Sequence, residues 1–363
     1  MLKSLSNEIY IWNLRLERDQ KPIAWNPCEN SQVFNGDDCG EYFGKVFEAM
    51  QDSLKVEGSV FYFTRDLHEL PSYGENVVAV VIGDEWSRIP TYFYKVGAVF
   101  KCYGTNLILG SNLLKPSYLN FLTLMQFIKA KFADLPGWLY YVFYKLKRKK
   151  NTPIYDIPLG YSNQVELPIK PINERNNDVF FAGSVVHDTY PIWSLKHWLE
   201  TPKSLSRKQM LSSVNKIKET KSEIKVELSV TPGFHASFDP TKSADARSYS
   251  EKMMDARICL APRGTSFETF RFFEGMRYGC LVITEALPSR WFYDGCPAIQ
   301  VDDWSKLKEI LVQVFEDKEF LQKKHQESLD WWNKKCSEAV VGRYIAEKLN
   351  SLYIAPKTNI TSI

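Results

Sequence analysis

The chain has 363 residues, 44% of them hydrophobic, and a formal net charge of +3 at pH 7. That length is too great for one ordinary core, and the apolar content is ample for two. The near-neutral charge, with no dense basic stripe, no interleaved stacking aromatics and no zinc-finger spacing, excludes nucleic acid as the expected partner.

Residues 1–9 hold no sustained apolar leader core, and no uninterrupted apolar run of about 18 residues follows anywhere, so the expected location is cytoplasmic. The seven cysteines, at 28, 39, 102, 259, 280, 296 and 336, form no Cys-x-x-Cys and are odd in number, which predicts buried free thiols rather than a disulfide framework. Residues 41–55 read as a helix. Residues 59–64 and 76–82 read as strands, with shorter ones at 98–103 and 107–109, and the alternation predicts a parallel sheet with crossover helices. Asp84 and Glu85 directly follow the second strand and should emerge at its carboxyl edge, where a general base must reach an acceptor hydroxyl. Asp66, after Phe61-Tyr-Phe-Thr-Arg65, is the next candidate; all three also fit as solvated or capping acids.

Residues 116–150 are rich in aromatic and aliphatic side chains, including Trp138-Leu-Tyr-Tyr-Val-Phe-Tyr144, and end in Lys145-Leu-Lys-Arg-Lys-Lys150. Such a segment can lie in a membrane interface with its cations on anionic head groups, or can be a helix packed on the first domain. Residues 166–177, rich in Pro, Asn and charge, read as the linker between a domain at 1–165 and a second at 178–335. The remainder, 336–363, is expected as a helix and tail crossing back to the first domain.

In the second half, 178–183 reads as a strand ending at Gly183, with Ser184, His187 and Asp188 in the following loop. Residues 226–230 form the next strand, and a helix at 249–257 leads into Ile258-Cys-Leu-Ala-Pro-Arg-Gly264. There a short apolar strand is broken by Pro262-Arg263-Gly264 at its carboxyl end, where ligands collect in open α/β sheets. Thr265 with Glu268 fits a capping box, which predicts a helix starting at that point and an anion-attracting terminus with Ser266 beside it. Arg271 and Glu274, three apart, share a helix face: they suit a diphosphate and ribose hydroxyls respectively, or form a plain surface pair. Gly279 stops the helix, 280–283 resumes as strand, and Glu285 follows it. Residues 306–349 read as a long helical region in which Trp331-Trp332 anchors the core.

The run Cys259-Leu260-Ala261-Pro262-Arg263-Gly264, then Arg271, Glu274-Gly275 and Gly279-Cys280-Leu281-Val282-Ile283, resembles the exostosin-like glycosyltransferases. It departs at Gly275, where that family usually has Ala, and at Leu281, where Pro is usual. Asp178-Val-Phe-Phe-Ala-Gly183 is a further likeness, and Val81-Ile-Gly-Asp-Glu85 with Ile157-Pro-Leu-Gly-Tyr161 resemble the ribitol xylosyltransferase branch. The resemblance implies a GT-B fold, two Rossmann-like α/β domains facing across a cleft, with metal-independent, inverting transfer and no cofactor. The sequence has no Asp-x-Asp pair to share a divalent ion with a diphosphate, as the GT-A alternative requires.

The expected activity is transfer of a sugar from a nucleotide diphosphate, UDP favoured, to a hydroxyl of a glycan or lipid-linked glycan, with a non-catalytic binder of the same ligands as the alternative. Asp84, Glu85 or Asp66 would remove the acceptor proton. The sugar donor would be held by Arg263, Gly264, Thr265, Ser266, Arg271, Glu274, Gly183, Ser184, His187 and Glu285. A nucleotide-cofactor oxidoreductase is disfavoured, since no G-x-G-x-x-G follows a strand and no Walker loop occurs.

Overall fold

The computed structural model describes residues 6–14, 21–27, 40–110, 116–147, 152–163, 165–184, 200–219, 223–231 and 243–354. Strands β1 (Glu8–Trp12), β2 (Ile23–Ala24), β3 (Val60–Thr64), β4 (Gly74–Val81), β5 (Val96–Lys101) and β6 (Ile154–Asp156) form a first sheet in the order β2-β1-β3-β4-β5-β6. Only the β1–β2 pair is antiparallel. The apolar runs Phe61-Tyr-Phe63 and Val77-Val-Ala-Val-Val81 are buried, as parallel strands covered on both faces require. Helix α1 (Gly40–Ser53) covers one face with Tyr42, Phe43, Val46, Phe47 and Met50. The strand expected at 107–109 does not form: the ladder beside β5 is taken by β6, with Val99 opposite Ile154.

Helix α2 (Tyr118–Leu146) starts at Ser117, whose side chain accepts the Asn120 N–H. It is fixed to the β4–β5 connection by Asp134, which accepts the Ile89 N–H at 2.7 Å, and by Gly137, where a Cβ would collide with the Ile89 carbonyl.

The second sheet contains β7 (Asn177–Ser184), β8 (Val226–Thr231), β9 (Ala256–Ala261), β10 (Leu281–Thr284) and β11 (Ile299–Gln300), in the order β11-β10-β9-β7-β8, all parallel. The chain winds one way from β7 to β8 and the other from β9 to β11, so the switch point lies between β7 and β9. Their carboxyl ends, Ser184 and Ala261, flank the crevice where open α/β sheets receive ligands. The other α-helices of the described residues are α3 (Pro202–Glu219), α4 (Ser243–Met254), α5 (Phe270–Arg277), α6 (Leu307–Glu316), α7 (Lys318–Trp331) and α8 (Glu338–Tyr353). The two parallel sheets with their helices are the α/β, two-Rossmann-like layout expected from the sequence.

Three boundaries differ from expectation. The capping box at Thr265 and Glu268 does not form; α5 starts after Thr269, because the Glu268 carboxylate is drawn inward to Arg290 (2.5 Å) and the Tyr293 hydroxyl (3.1 Å). The helix expected at 249–257 runs from 243 to 254, since Ala256 already pairs with Asn177 in the sheet. The long helical region is three helices, interrupted at Asp317, which caps α7 through the Phe320 N–H, and at a π-helical turn, Trp332–Cys336.

One apolar cluster runs from the inner face of the first sheet (Phe61, Phe63, Val80) to that of the second (Phe180, Cys259, Val282), through Trp331, Trp332 and α8. Helix α8 returns to α1, where Asn350 donates to Ser53 O (3.0 Å) and accepts from the Lys55 N–H (2.8 Å).

Candidate active site

At the end of β7, Gly183 has φ 151°, a conformation that favours glycine. A Cβ there would collide with the Arg271 guanidinium, so the bare backbone lets this cation settle over the strand end, its Cζ 4.6 Å from the Phe181 ring centroid. Arg271 Nε and Nη1 are buried without a hydrogen-bond partner among the described residues. Two further cations from α3 join it. Arg207 donates to Ser184 O (2.5 Å) and, from Nε, to Arg263 O (3.2 Å). Burial, and then the charge of Arg271, push Arg207 down to about 9; burial, Arg207 and Arg271 likewise lower Lys203. Such crowding of like charge is unfavourable and is relieved by an anion.

The Pro262-Arg263-Gly264 loop lies across the switch point. Arg263, 3% exposed, donates to Thr123 Oγ1 (2.9 Å) and Gln126 Oε1 (3.2 Å) on α2 and lies 4.0 Å over the Phe267 ring, with its Nε unpartnered among the described residues. Burial lowers it. Gln126 also donates to Thr265 O at 2.9 Å, so this loop is stitched to the first unit. Gly264 N–H donates to Ser266 O (2.8 Å), and Ser266 Oγ accepts the Glu268 N–H (3.2 Å), so both are engaged in the turn itself. Glu285 Oε1 accepts from Arg263 N–H (3.1 Å), Trp304 Nε1 (3.2 Å) and the Ser206 hydroxyl, which makes it the brace of this loop. Between the units is a cleft lined by Glu85, Trp86, Thr123 and Gln126 on one side and by Arg263, Thr265, Ser266 and Arg290 on the other.

The three acids of the first unit have separate fates. Asp84 is buried between Lys101 (3.0 Å) and Arg88 (3.0 Å), with a further bond from the Arg88 N–H (2.6 Å). Burial works to raise it, but these cations outweigh burial and hold it below the usual carboxylate range. Asp66 closes a turn, accepting the N–H groups of His68 (2.7 Å) and Glu69 (3.1 Å) and the Asn13 amide (2.8 Å). Glu85 alone of the three lines the cleft, and its charge opposes the downward shifts of Lys203, Arg207 and Arg263.

Glu274, expected on a ribose, is 2% exposed and accepts the N–H groups of Ser162 (3.2 Å) and Asn163 (3.0 Å) and the Tyr249 hydroxyl (2.7 Å). Its carboxylate fastens the connection between the units. His187 and Asp188 lie outside the described residues.

The structure thus brings Gly183, Ser184, Arg263 and Arg271 together with Glu85 and adds Lys203, Arg207, Thr123 and Gln126, which the sequence reading omitted. Lys203 and Arg207 did leave a signal. They are four apart on one helix face, and Lys203 lies in the first turn, where the dipole disfavours cations, so a purely structural reason for it is weak.

No protein-family profile and no curated protein matches the chain. Solved structures similar to it include sucrose-phosphate synthase from Thermosynechococcus elongatus, at 12% identity and TM-score 0.41, covering 87% of this chain and 94% of that one. An alpha-glucosyltransferase in complex with UDP-glucose and DNA containing an abasic site aligns at 8% identity and TM-score 0.40, over 85% of this chain and 83% of that one. The GtfA/B complex aligns at 14% identity and TM-score 0.39 over 77% of this chain, which spans only 58% of the GtfA/B chain.

Proposed function

We propose that the chain is a glycosyltransferase that takes a nucleotide-diphosphate sugar, UDP-sugar favoured, at the crevice between β7 and β9. The observation that carries this reading is the cation group of buried Arg207 with half-buried Arg271 and Lys203, two buried Arg271 nitrogens being unpartnered among the described residues. A diphosphate supplies both the missing acceptors and the missing negative charge. These side chains neutralise the leaving group themselves, in keeping with metal-independent transfer.

Glu85, across the cleft, takes the role of general base. The acceptor oxygen forms its bond to the anomeric carbon as the bond from that carbon to the diphosphate oxygen breaks. The acceptor proton passes to Glu85, and the nucleoside diphosphate leaves with the electron pair, so an in-line course inverts the sugar carbon. Asp84 and Asp66 hold the loops around Glu85. The acceptor is a hydroxyl of a glycan or lipid-linked glycan. Nucleic acid is not proposed, because a net charge of +3 over 363 residues supplies little of the electrostatic attraction that phosphate backbones require.

Calorimetric titration with UDP tests the site. Arg271→Met should weaken binding by about 10- to 100-fold, the worth of charge-assisted hydrogen bonds to one guanidinium. Unchanged affinity in that variant would remove the basis of the reading.

A further inference from the structure

Helix α2 is 29 residues long, roughly 44 Å at the α-helical rise, and its two sides differ. The inner side carries Thr123 and Gln126 to Arg263 and buries Leu122, Ala130, Asp134 and Gly137. The outer side exposes Phe121, Met125, Ile128, Phe132, Leu135 and Leu139 at successive helical turns, Phe132 to 72%. Trp138, Tyr140, Phe143 and Leu146 widen and lengthen this stripe, with Leu146 77% exposed. An apolar face of this extent needs an occupant.

The charges on the helix decide which. Its one carboxylate, Asp134, is turned inward onto the Ile89 N–H. The exposed charges of the helix and its C-cap are all lysines: Lys129, Lys131, Lys145 and Lys147. A second copy laid along the same face would bring lysine against lysine with no acid to pair them, unlike a helical seam stabilised by opposite flanking charges. A bilayer bearing anionic lipid complements both features at once. No helix among the described residues is long and apolar enough to cross a membrane, so a helix lying in the interface is the fitting geometry.

We infer that α2 docks the protein on an anionic lipid surface, its outer face in the head-group and acyl boundary and its inner face walling the Arg263 cleft. The inference stands on the helix and does not depend on the transferase reading. It places the cleft beside the bilayer, where a lipid-borne hydroxyl is within reach.

The test is sedimentation of the full chain with vesicles of phosphatidylcholine, with and without phosphatidylserine. Strong co-sedimentation with the anionic vesicles, weaker with the neutral ones, is expected. Lys131→Gln/Lys145→Gln should lower the partition coefficient by about 10- to 30-fold, at roughly fivefold per lysine near an anionic surface. Phe132→Ser/Leu139→Ser, both at exposed positions, should abolish binding while far-UV circular dichroism and UDP affinity stay as in the parent. Absence of binding to anionic vesicles overturns the inference, as does equal binding by the Phe132→Ser/Leu139→Ser protein. A lipid-free dimer that the same double substitution makes monomeric would assign the face to a second copy instead.

Discussion

Arg271 and Glu85 face opposite halves of the proposed chemistry, and their variants should fail differently. Glu85→Gln keeps size and polarity but cannot take a proton; turnover is expected to fall by about 10²- to 10⁴-fold, with UDP affinity nearly unchanged in calorimetry. Equal loss of binding and turnover would assign Glu85 to holding the nucleotide sugar. Asp84, its neighbour in sequence, should behave as a structural residue. Asp84→Asn leaves the fully buried Lys101 without its counter-charge and should cost about 3–5 kcal/mol in denaturant unfolding. The sign with pH follows from the depressed Asp84 pKa: its contribution is present above the unfolded value of 3.8 and is lost as pH falls below that through the lower folded value. The parent should therefore lose stability faster than Asp84→Asn in that acid range. The sequence showed two carboxylates after one strand, but not which turned inward. That choice is made by Lys101, placed opposite Val81 when β4 pairs with β5, a register that a single sequence does not display.

Among the elements, β7 and α3 set the site together. Gly183→Ala puts a methyl where the Arg271 guanidinium lies and adds backbone strain at φ 151°. It should cost about 1–2 kcal/mol of stability and displace Arg271 enough to weaken UDP binding at least tenfold. Thermal melting and calorimetry on the same sample read both effects, and a loss of stability with full affinity would mean that Arg271 does not need this approach. The strands were legible because apolar runs bounded by Gly and Pro leave few alternatives, as at Ile258–Leu260. The start of α5 was not, because the apparent cap residue Glu268 has a partner 22 residues onward, Arg290, and a buried ion pair outweighs a local hydrogen bond. Likewise Lys203 and Arg207 became site residues only through the placement of α3 beside the ends of β7 and β9.

At the scale of the whole molecule, the two sheets share one inner core, and bonds that cross from one unit to the other bridge the floor of the cleft. Arg263 reaches Thr123 and Gln126, Glu274 holds Ser162 and Asn163, and Arg290 donates to Tyr103 O. Several residues that the motif offered as ligand contacts are therefore fasteners of this junction. A motif carries the identities of its polar residues but not their partners, and partners more than 100 residues away in sequence took Glu274 and much of Arg263. The residues left to meet a ligand, Arg271, Arg207, Lys203 and Glu85, come from both halves of the chain and converge only in the folded molecule.

The measurement closest to the central claim is the melting temperature of the full chain against UDP-, GDP-, CMP- and TDP-sugars, since a ligand bound only by the native state raises it. A rise of several degrees with the uridine diphosphate sugars at about 100 times their dissociation constant, absent in Arg271→Met, is the predicted result. A folded parent protein whose melting temperature none of these nucleotides moves would contradict the account.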